Sequence, residues 1–361
     1  MNVLVLLLAV VMVSFLYLFL LAHVALRHMT IERHFSKRAL FEGEHGEMTE
    51  IVTNASFLPI VWLRIESSIA NALQFTRQTD LELNGDRHIQ SLFTLLPRQR
   101  IIRRYPVTFR RRGAYSVSSS ALTAGDVVGF FQQMKECQCR ADILVWPHLL
   151  EERDLPPLLL GMLGEWRLHH PLSEDPYLIR GLREYRPGDP IRSIHWPTTA
   201  KTGKTHITLH DPSSSANLMV LLNGQKTENQ WGNLMDYEQS EIEQAVSLAA
   251  TVCVYALRHG CSAGFGTNLK LHESEETPLV LPLSGQAQVE CLLDTFAMLR
   301  IAFTLRFETY LKTLSLRPGT DILILTYYTT DEMNTVVQSL KRQGYRVQVY
   351  LMPHRHVETI Q

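Results

Sequence analysis

The sequence predicts an α/β protein: a parallel-sheet domain in the second half, a small antiparallel β-sandwich-like domain before it, and a transmembrane helix at the start. Three observations carry this. Residues 3–26 are apolar except Ser14 and His23. Between about residues 41 and 147, side-chain character alternates with a period of two, as on a half-buried strand. From residue 217 onward, short apolar runs alternate with helical stripes, the pattern of a sheet covered on both faces. The expected organisation is an anchor at residues 1–27, a β-rich domain at 38–147, a connector at 148–210 and an α/β domain at 211–356.

At a rise of about 1.5 Å per residue, the first apolar run is long enough for a hydrocarbon core of about 30 Å. No Lys or Arg precedes it, and it is longer than an ordinary leader's apolar region, which favours an anchor over a cleaved signal. Arg27, Arg33, Lys37 and Arg38 follow. Basic residues on that flank place it in the cytoplasm, so the expectation is a single-pass cell-membrane protein with its soluble domains inside.

Formal net charge is -1, which gives no global pull toward nucleic acid. Five cysteines with only Cys137-x-Cys139 closely spaced show no zinc pattern and suggest reduced, mostly buried thiols.

In the β region, Val61, Leu63 and Ile65 alternate with Trp62, Arg64 and Glu66, and Asn84-Gly85 is a strong hairpin signal. Seven arginines lie between Arg98 and Arg112. With no aromatic interleaving on that face, they read as a solvated strand edge rather than a nucleic-acid surface. Residues 149–177 read as a loop with a short helix. The adjacent His169 and His170 do not present two metal ligands on one helix face.

In the last part, residues 217–222, 261–265, 322–326 and 345–351 are expected strands. Residues 287–299, 302–314 and 331–342 are expected helices. Another helix opens on a capping box of Ser240 and Glu243, follows the stripe Ile242, Val246, Ala249 and Cys253, and stops at Gly260. Ligands in such a fold bind at the carboxyl ends of the strands.

Between the two regions lies the densest stretch of the chain. Pro187-Gly188-Asp189-Pro190 must turn, because neither helix nor strand continues through it. The spacing Arg183-x-Tyr185-x-x-Gly188-Asp189-x-x-Arg192-x-Ile194-x-Trp196-x-x-Thr199-Ala200-Lys201 resembles the signature of the domain of unknown function 58 family. Arg111-Arg112-Gly113-x-Tyr115 followed by Gly125-Asp126 resembles a second landmark, although Val127 and Val128 replace the family's Pro-Phe. The resemblance implies a membrane-anchored bacterial protein with a von Willebrand factor A-like domain, partnered by a MoxR-type AAA+ ATPase.

Such domains normally hold magnesium through hard oxygen ligands at the sheet edge. Here Asn223 and Tyr327 stand where carboxylates would be, and Thr267 keeps the middle position. A degenerate site and no cofactor are therefore expected. Arg183, Asp189 and Arg192 are expected to form a charge network with Trp196 beneath it. Tyr185, Gly188, His195 and Lys201 complete the motif, and Arg186 and Lys201 would face a partner.

The leading functional expectation is a non-enzymatic interaction or assembly factor. The alternative is a hydrolase using Asp189, His195 and Arg192, although no nucleophile elbow or phosphate loop accompanies them.

Overall fold

The computed structural model describes residues 3–353, except 70–72, 76–79, 84–85, 126–131, 170–172, 187–188, 190–192, 214–216, 229, 231–233, 273, 275 and 304. The chain forms two compact units, Met1–His148 and Leu149–Gln361.

The first unit opens with helix α1 (Val3–Ala25), whose large apolar side chains between Val5 and Phe19 are 44–65 % exposed. Among the described residues no helix is long and apolar enough to cross a membrane. Within α1 itself, side-chain burial is described only for residues 5–17 and 19.

A short turn, Leu26–His28, leads into ten strands: β1 (Met29–Phe35), β2 (Ala39–Phe41), β3 (His45–Asn54), β4 (Ile60–Ile69), β5 (Leu73–Phe75), β6 (Asp80–Leu83), β7 (Asp86–Leu95), β8 (Arg100–Phe109), β9 (Gly113–Gly125) and β10 (Gln132–Trp146). They form one sheet of order β1-β3-β8-β5 and a second of order β2-β10-β9-β4-β7-β6. The β structure starts at Met29, ahead of the boundary expected at residue 38, because Met29 and Ile31 alternate inward and join the core with Val52, Leu63 and Phe93. Every pairing is antiparallel except β2 on β10. β6 and β7 pair at Leu83 and Asp86, and the Asn84-Gly85 turn between them lies outside the described residues.

Sequence reading missed a charge sealed inside this unit. Position 33 alternates inward with Met29 and Ile31, so β1 carries an arginine into the core. Arg33 Nε donates to Glu50 Oε1 at 2.8 Å, Nη1 to Ser120 Oγ at 2.7 Å and Nη2 to Ser67 Oγ at 2.8 Å. Tyr105 donates its hydroxyl to Glu50 Oε2 at 3.0 Å. A buried charge survives only when paired and hydrogen-bonded, and this one is both.

The second unit starts with α2 (Pro157–His169), β11 (Ser173–Glu184), α3 (Trp196–Thr202) and β12 (His206–Ser213). It continues with β13 (Asn217–Leu222), α4 (Asp236–Arg258), β14 (Ser262–Thr267), β15 (Leu269–Leu271) and β16 (Leu279–Leu283). It ends with α5 (Gln286–Met298), β17 (Leu299–Phe303), α6 (Phe307–Thr313), β18 (Thr320–Thr326), α7 (Asp331–Arg342) and β19 (Arg346–Leu351). Its main sheet has the order β16-β14-β13-β18-β19. β14, β13, β18 and β19 run parallel, while β16 closes one edge antiparallel, so the sheet is mixed rather than wholly parallel.

Both faces of this sheet are covered. Leu218, Val220 and Leu222 of β13 pack with α4 and α5, while Met219 and Leu221 pack with α6 and α7. Successive strand residues point to opposite faces, which explains the continuous apolar run.

Three expectations are corrected here. The start of the connector is part of the core, because Leu155, Leu159 and Leu163 recur every four residues and bury against α4. Helix α4 begins one turn earlier than Ser240, since Glu238 accepts the Met235 N–H at 2.9 Å and caps the start. The expected helix at 302–314 begins only at Phe307, because residues before it pair with β15 as strand β17. The end of α4 follows sequence logic: Gly260 sits at φ 78, in the left-handed region that favours glycine.

Candidate functional site

Two places gather polar side chains in the second unit. The first is the carboxyl edge of the main sheet. β13 is central, and the chain leaves it first toward β14 and later returns on its other side as β18. Loops that diverge from neighbouring parallel strands open a crevice at this point.

Here the crevice is occupied by neutral amides. Asn223 accepts the Gln225 N–H at 3.0 Å and donates to Thr326 Oγ1 at 3.1 Å. Asn268 accepts the Gly224 N–H at 2.9 Å and donates to Gln225 Oε1 at 3.1 Å. Gln225 Oε1 also accepts the Phe307 N–H at 3.1 Å, tying the edge to α6. Gly224 is needed for this closeness, because a Cβ there would lie 2.4 Å from Leu269 Cδ2.

The three positions that the resemblance marks as a degenerate metal site each engage a different partner. Asn223 faces Thr326, Thr267 accepts from the Leu269 N–H at 3.2 Å, and Tyr327 donates to the Glu241 carbonyl at 2.8 Å. Burial first, and Glu241 second, push the Tyr327 phenol above its ordinary range. Among the described residues no three His, Cys, Asp or Glu side chains come together as a metal cluster.

Lys226 lies in the same loop, and its partner is far away in sequence. It forms a buried ion pair with Glu241 of α4, with Tyr237 5.1 Å from its ammonium. Glu308 was not foreseen at all. It is 2 % exposed, and Thr330 donates to its Oε1 at 3.1 Å. A lone glutamate in a helical run carries no signal of this in sequence.

The second place is the signature stretch. β11 and β12 pair antiparallel, and the turn and α3 sit between them. Arg183 donates to both Asp189 oxygens, at 2.8 and 2.7 Å, and Asp189 also accepts the Arg186 N–H at 2.7 Å. This fork geometry is the strong form of the ion pair. The Arg183 guanidinium first, and the Arg186 amide second, hold the Asp189 carboxyl below its usual range. Lys204 likewise lowers Glu184, at 2.9 Å.

Gly188 and Arg192 lie outside the described residues, as do Pro187, Pro190 and Ile191. His195 sits at the N-terminus of α3, where its Nδ1 accepts the Thr198 N–H at 3.3 Å. It caps the helix and shares no hydrogen bond with Asp189. Trp196 does not pack beneath the charge pair. It opens α3, followed by Pro197, and its ring is 66 % exposed. A first-turn helix position points outward unless another element covers it, and none does so here. Tyr185 is 37 % exposed, and Arg186 and Lys201 are exposed as well.

Comparison with known proteins begins at this stretch. The family described as "Protein of unknown function DUF58" matches residues 181–304, from the last residues of β11 through β17. The uncharacterized protein YeaD of Bacillus subtilis is 22 % identical over 258 residues, covering 70 % of this chain. The match spans 59 % of that relative's length. Among solved structures, a CARDB domain from Pyrococcus furiosus covers 33 % of this chain and 94 % of its own, at 13 % identity and a TM-score of 0.22. A non-cellulosomal cohesin from Archaeoglobus fulgidus covers 32 % of this chain and 91 % of its own, at 7 % identity and a TM-score of 0.23. Superpositions at that level carry no argument about this chain. What the comparisons establish is similarity, over residues 181–304, to a family of unknown function.

Proposed function

We propose that the protein is a membrane-anchored, non-enzymatic interaction or assembly factor whose docking face is the signature stretch. One observation carries the reading: Trp196, Tyr185, Arg186 and Lys201 are exposed beside a turn that the Arg183–Asp189 fork holds in place. Exposed aromatic and arginine side chains on a stiff support are the usual anchors of protein interfaces. The resemblance to the domain of unknown function 58 family supplies the partner class, a MoxR-type AAA+ ATPase. It also suggests that the second unit is a von Willebrand factor A-like domain, a reading compatible with its central parallel strands. The amides at the sheet edge support a version of that domain that works without magnesium, because Asn223 and Tyr327 offer no anionic oxygen.

Membrane attachment rests on α1. Among the described residues no helix is long and apolar enough to cross a membrane, so the reading is drawn from the sequence, where residues 3–26 are apolar except Ser14 and His23, and from the outward-facing apolar side chains described in α1. The basic flank supports a cytoplasmic placement of the soluble units. Of that flank, Arg33 is sealed in the sandwich, so Arg27, Lys37 and Arg38 carry the exposed charge.

Affinity purification of the full chain from its own membranes tests the proposal. A copurifying AAA+ ATPase that is lost on Trp196→Ala supports it. An intact complex after Trp196→Ala combined with Arg186→Ala overturns the docking face. The hydrolase alternative gains no observation of its own, since the Asp189 carboxylate is engaged by Arg183 and His195 is engaged by α3.

A further inference from the structure

We infer that the end of the β-sandwich from which α1 emerges is itself a lipid-contacting rim, built to rest in the headgroup layer of an anionic membrane. The inference rests on the reading of α1 as a membrane anchor and extends it to the loops beside that helix, whose Arg98 and Arg100 sequence reading weighed as a lipid-headgroup patch and took for a solvated strand face.

Three loops and strand ends meet at the base of α1. The His28 carbonyl accepts the Ala55 N–H at 3.1 Å, bringing the β3–β4 loop against the turn that ends α1. Arg98 N–H donates to the Ser56 carbonyl at 3.1 Å, and Asn54 Nδ2 donates to the Leu58 and Leu96 carbonyls, so the β7–β8 loop joins it. Lys135 at the start of β10 donates to the Leu26 carbonyl at 3.1 Å. These bonds make the rim a rigid extension of the turn below the helix.

The side chains on the rim are the wrong kind for water alone. Phe57 in the β3–β4 loop is 75 % exposed, Leu96 in the β7–β8 loop 63 %, and Met134 near the start of β10 66 %. Arg98 places its guanidinium 4.3 Å from the centre of the Phe57 ring. It does so from φ 55, making it the non-glycine residue of positive φ among the described residues. An arginine held in that uncommon backbone region beside an exposed phenylalanine gives one side chain an apolar face and a cationic head. Arg27, His28 and Arg100 are exposed around it.

Apolar tips ringed by arginine suit a layer where acyl chains meet phosphate, because the tips enter hydrocarbon while the cations stay at headgroup level. The rim lies at the base of the helix whose described apolar side chains, from Val5 to Phe19, are exposed, and this selects a membrane, rather than a protein, as the occupant. The opposite end of the sandwich, around Gly43 and Glu44, faces away from that helix and serves as an internal control.

The test uses the full chain in vesicles of phosphatidylcholine, with and without phosphatidylglycerol. Nitroxide labels are placed in turn at Met12→Cys, Phe57→Cys and Glu44→Cys in a Cys291→Ser background, and collision with oxygen and with a water-soluble nickel chelate is measured. The expected result is a several-fold lower nickel collision rate at residues 12 and 57 than at residue 44. The protection at 57 should deepen with phosphatidylglycerol and weaken when Arg98 and Arg100 are changed to Glu. Protection at 12 with full nickel access at 57 would overturn the rim while leaving the anchor standing. Nickel access at 12 would overturn the anchor and the rim together. Protection at 57 that ignores both lipid charge and the arginine changes would overturn the anionic specificity.

Discussion

The molecule contains two arginine–carboxylate pairs in very different surroundings: Arg33 donates twice to one oxygen of Glu50, and Arg183 forks onto both oxygens of Asp189. In the sandwich, the Arg33 and Glu50 side chains are 4 % and 3 % exposed. In the signature stretch, Arg183 and Asp189 are 34 % and 15 % exposed. The first pair is enclosed by Ser67, Ser120 and Tyr105, so neither charge can turn to water if its partner is removed. The second sits at the surface, where solvent can replace a lost partner. Burial therefore separates a contact that holds a domain together from one that sets the shape of a surface turn, even though the surface pair has the bidentate geometry.

The largest expected effect follows from Glu50→Ala. It strands the Arg33 guanidinium in a closed core and should cost the first unit about 3–5 kcal/mol. Chemical denaturation of the full chain in detergent would read this as an early transition of the sandwich. Replacing both partners together, as Arg33→Met with Glu50→Leu, should recover most of the loss. If the single and double variants unfold alike, the contrast between the two pairs is wrong.

A smaller loss is expected at the sheet edge of the second unit. Gly224→Ala forces a methyl against Leu269, a flexible side chain that can shift partway, so about 1–3 kcal/mol is expected. Thermal unfolding of the second unit measures it, and an unchanged midpoint would show that the amide cluster is looser than its hydrogen bonds suggest.

Asp189→Ala sharpens the comparison from the weaker side. The Asp189 carboxyl is held below its usual range by Arg183. A depressed carboxylate adds stability that is complete above its unfolded pKa and is lost as pH falls through the folded one. The wild-type advantage over Asp189→Ala should therefore be modest at neutral pH and vanish on acidification below the ordinary carboxylate range. An advantage that persists in strong acid would assign the effect to packing instead. The smallest effect on stability is expected for Trp196→Ala, whose exposed ring should leave the unfolding midpoint nearly unchanged while copurification of the partner falls.

Particular elements show what could be read in the chain. Helix α7 and strand β13 match the expected ranges 331–342 and 217–222, because strong periodicity and a Gly344 stop coincide with them. Leu299, Ala302 and Phe303 were read as helix because they carry no local preference that excludes it, and only pairing with β15 makes residues 299–303 a strand. Leu155, Leu159 and Leu163 had the spacing of a core stripe, but Pro156-Pro157 among them suggested a loop with a short helix. In the signature stretch, the Arg183–Asp189 pair followed from a turn that brings its flanks together. The outward direction of Trp196 did not, since residue type alone favours burying so large a ring.

Residue order and type by themselves determined which segments are apolar and where the chain must turn, because those properties belong to single residues and their near neighbours. Only tertiary structure decided which charges are sealed and which are open, that Lys226 meets Glu241, and that Phe57, Leu96 and Met134 share one end of the sandwich. These depend on contacts between residues far apart in the chain, and burial is a property of the folded surroundings that no local pattern encodes.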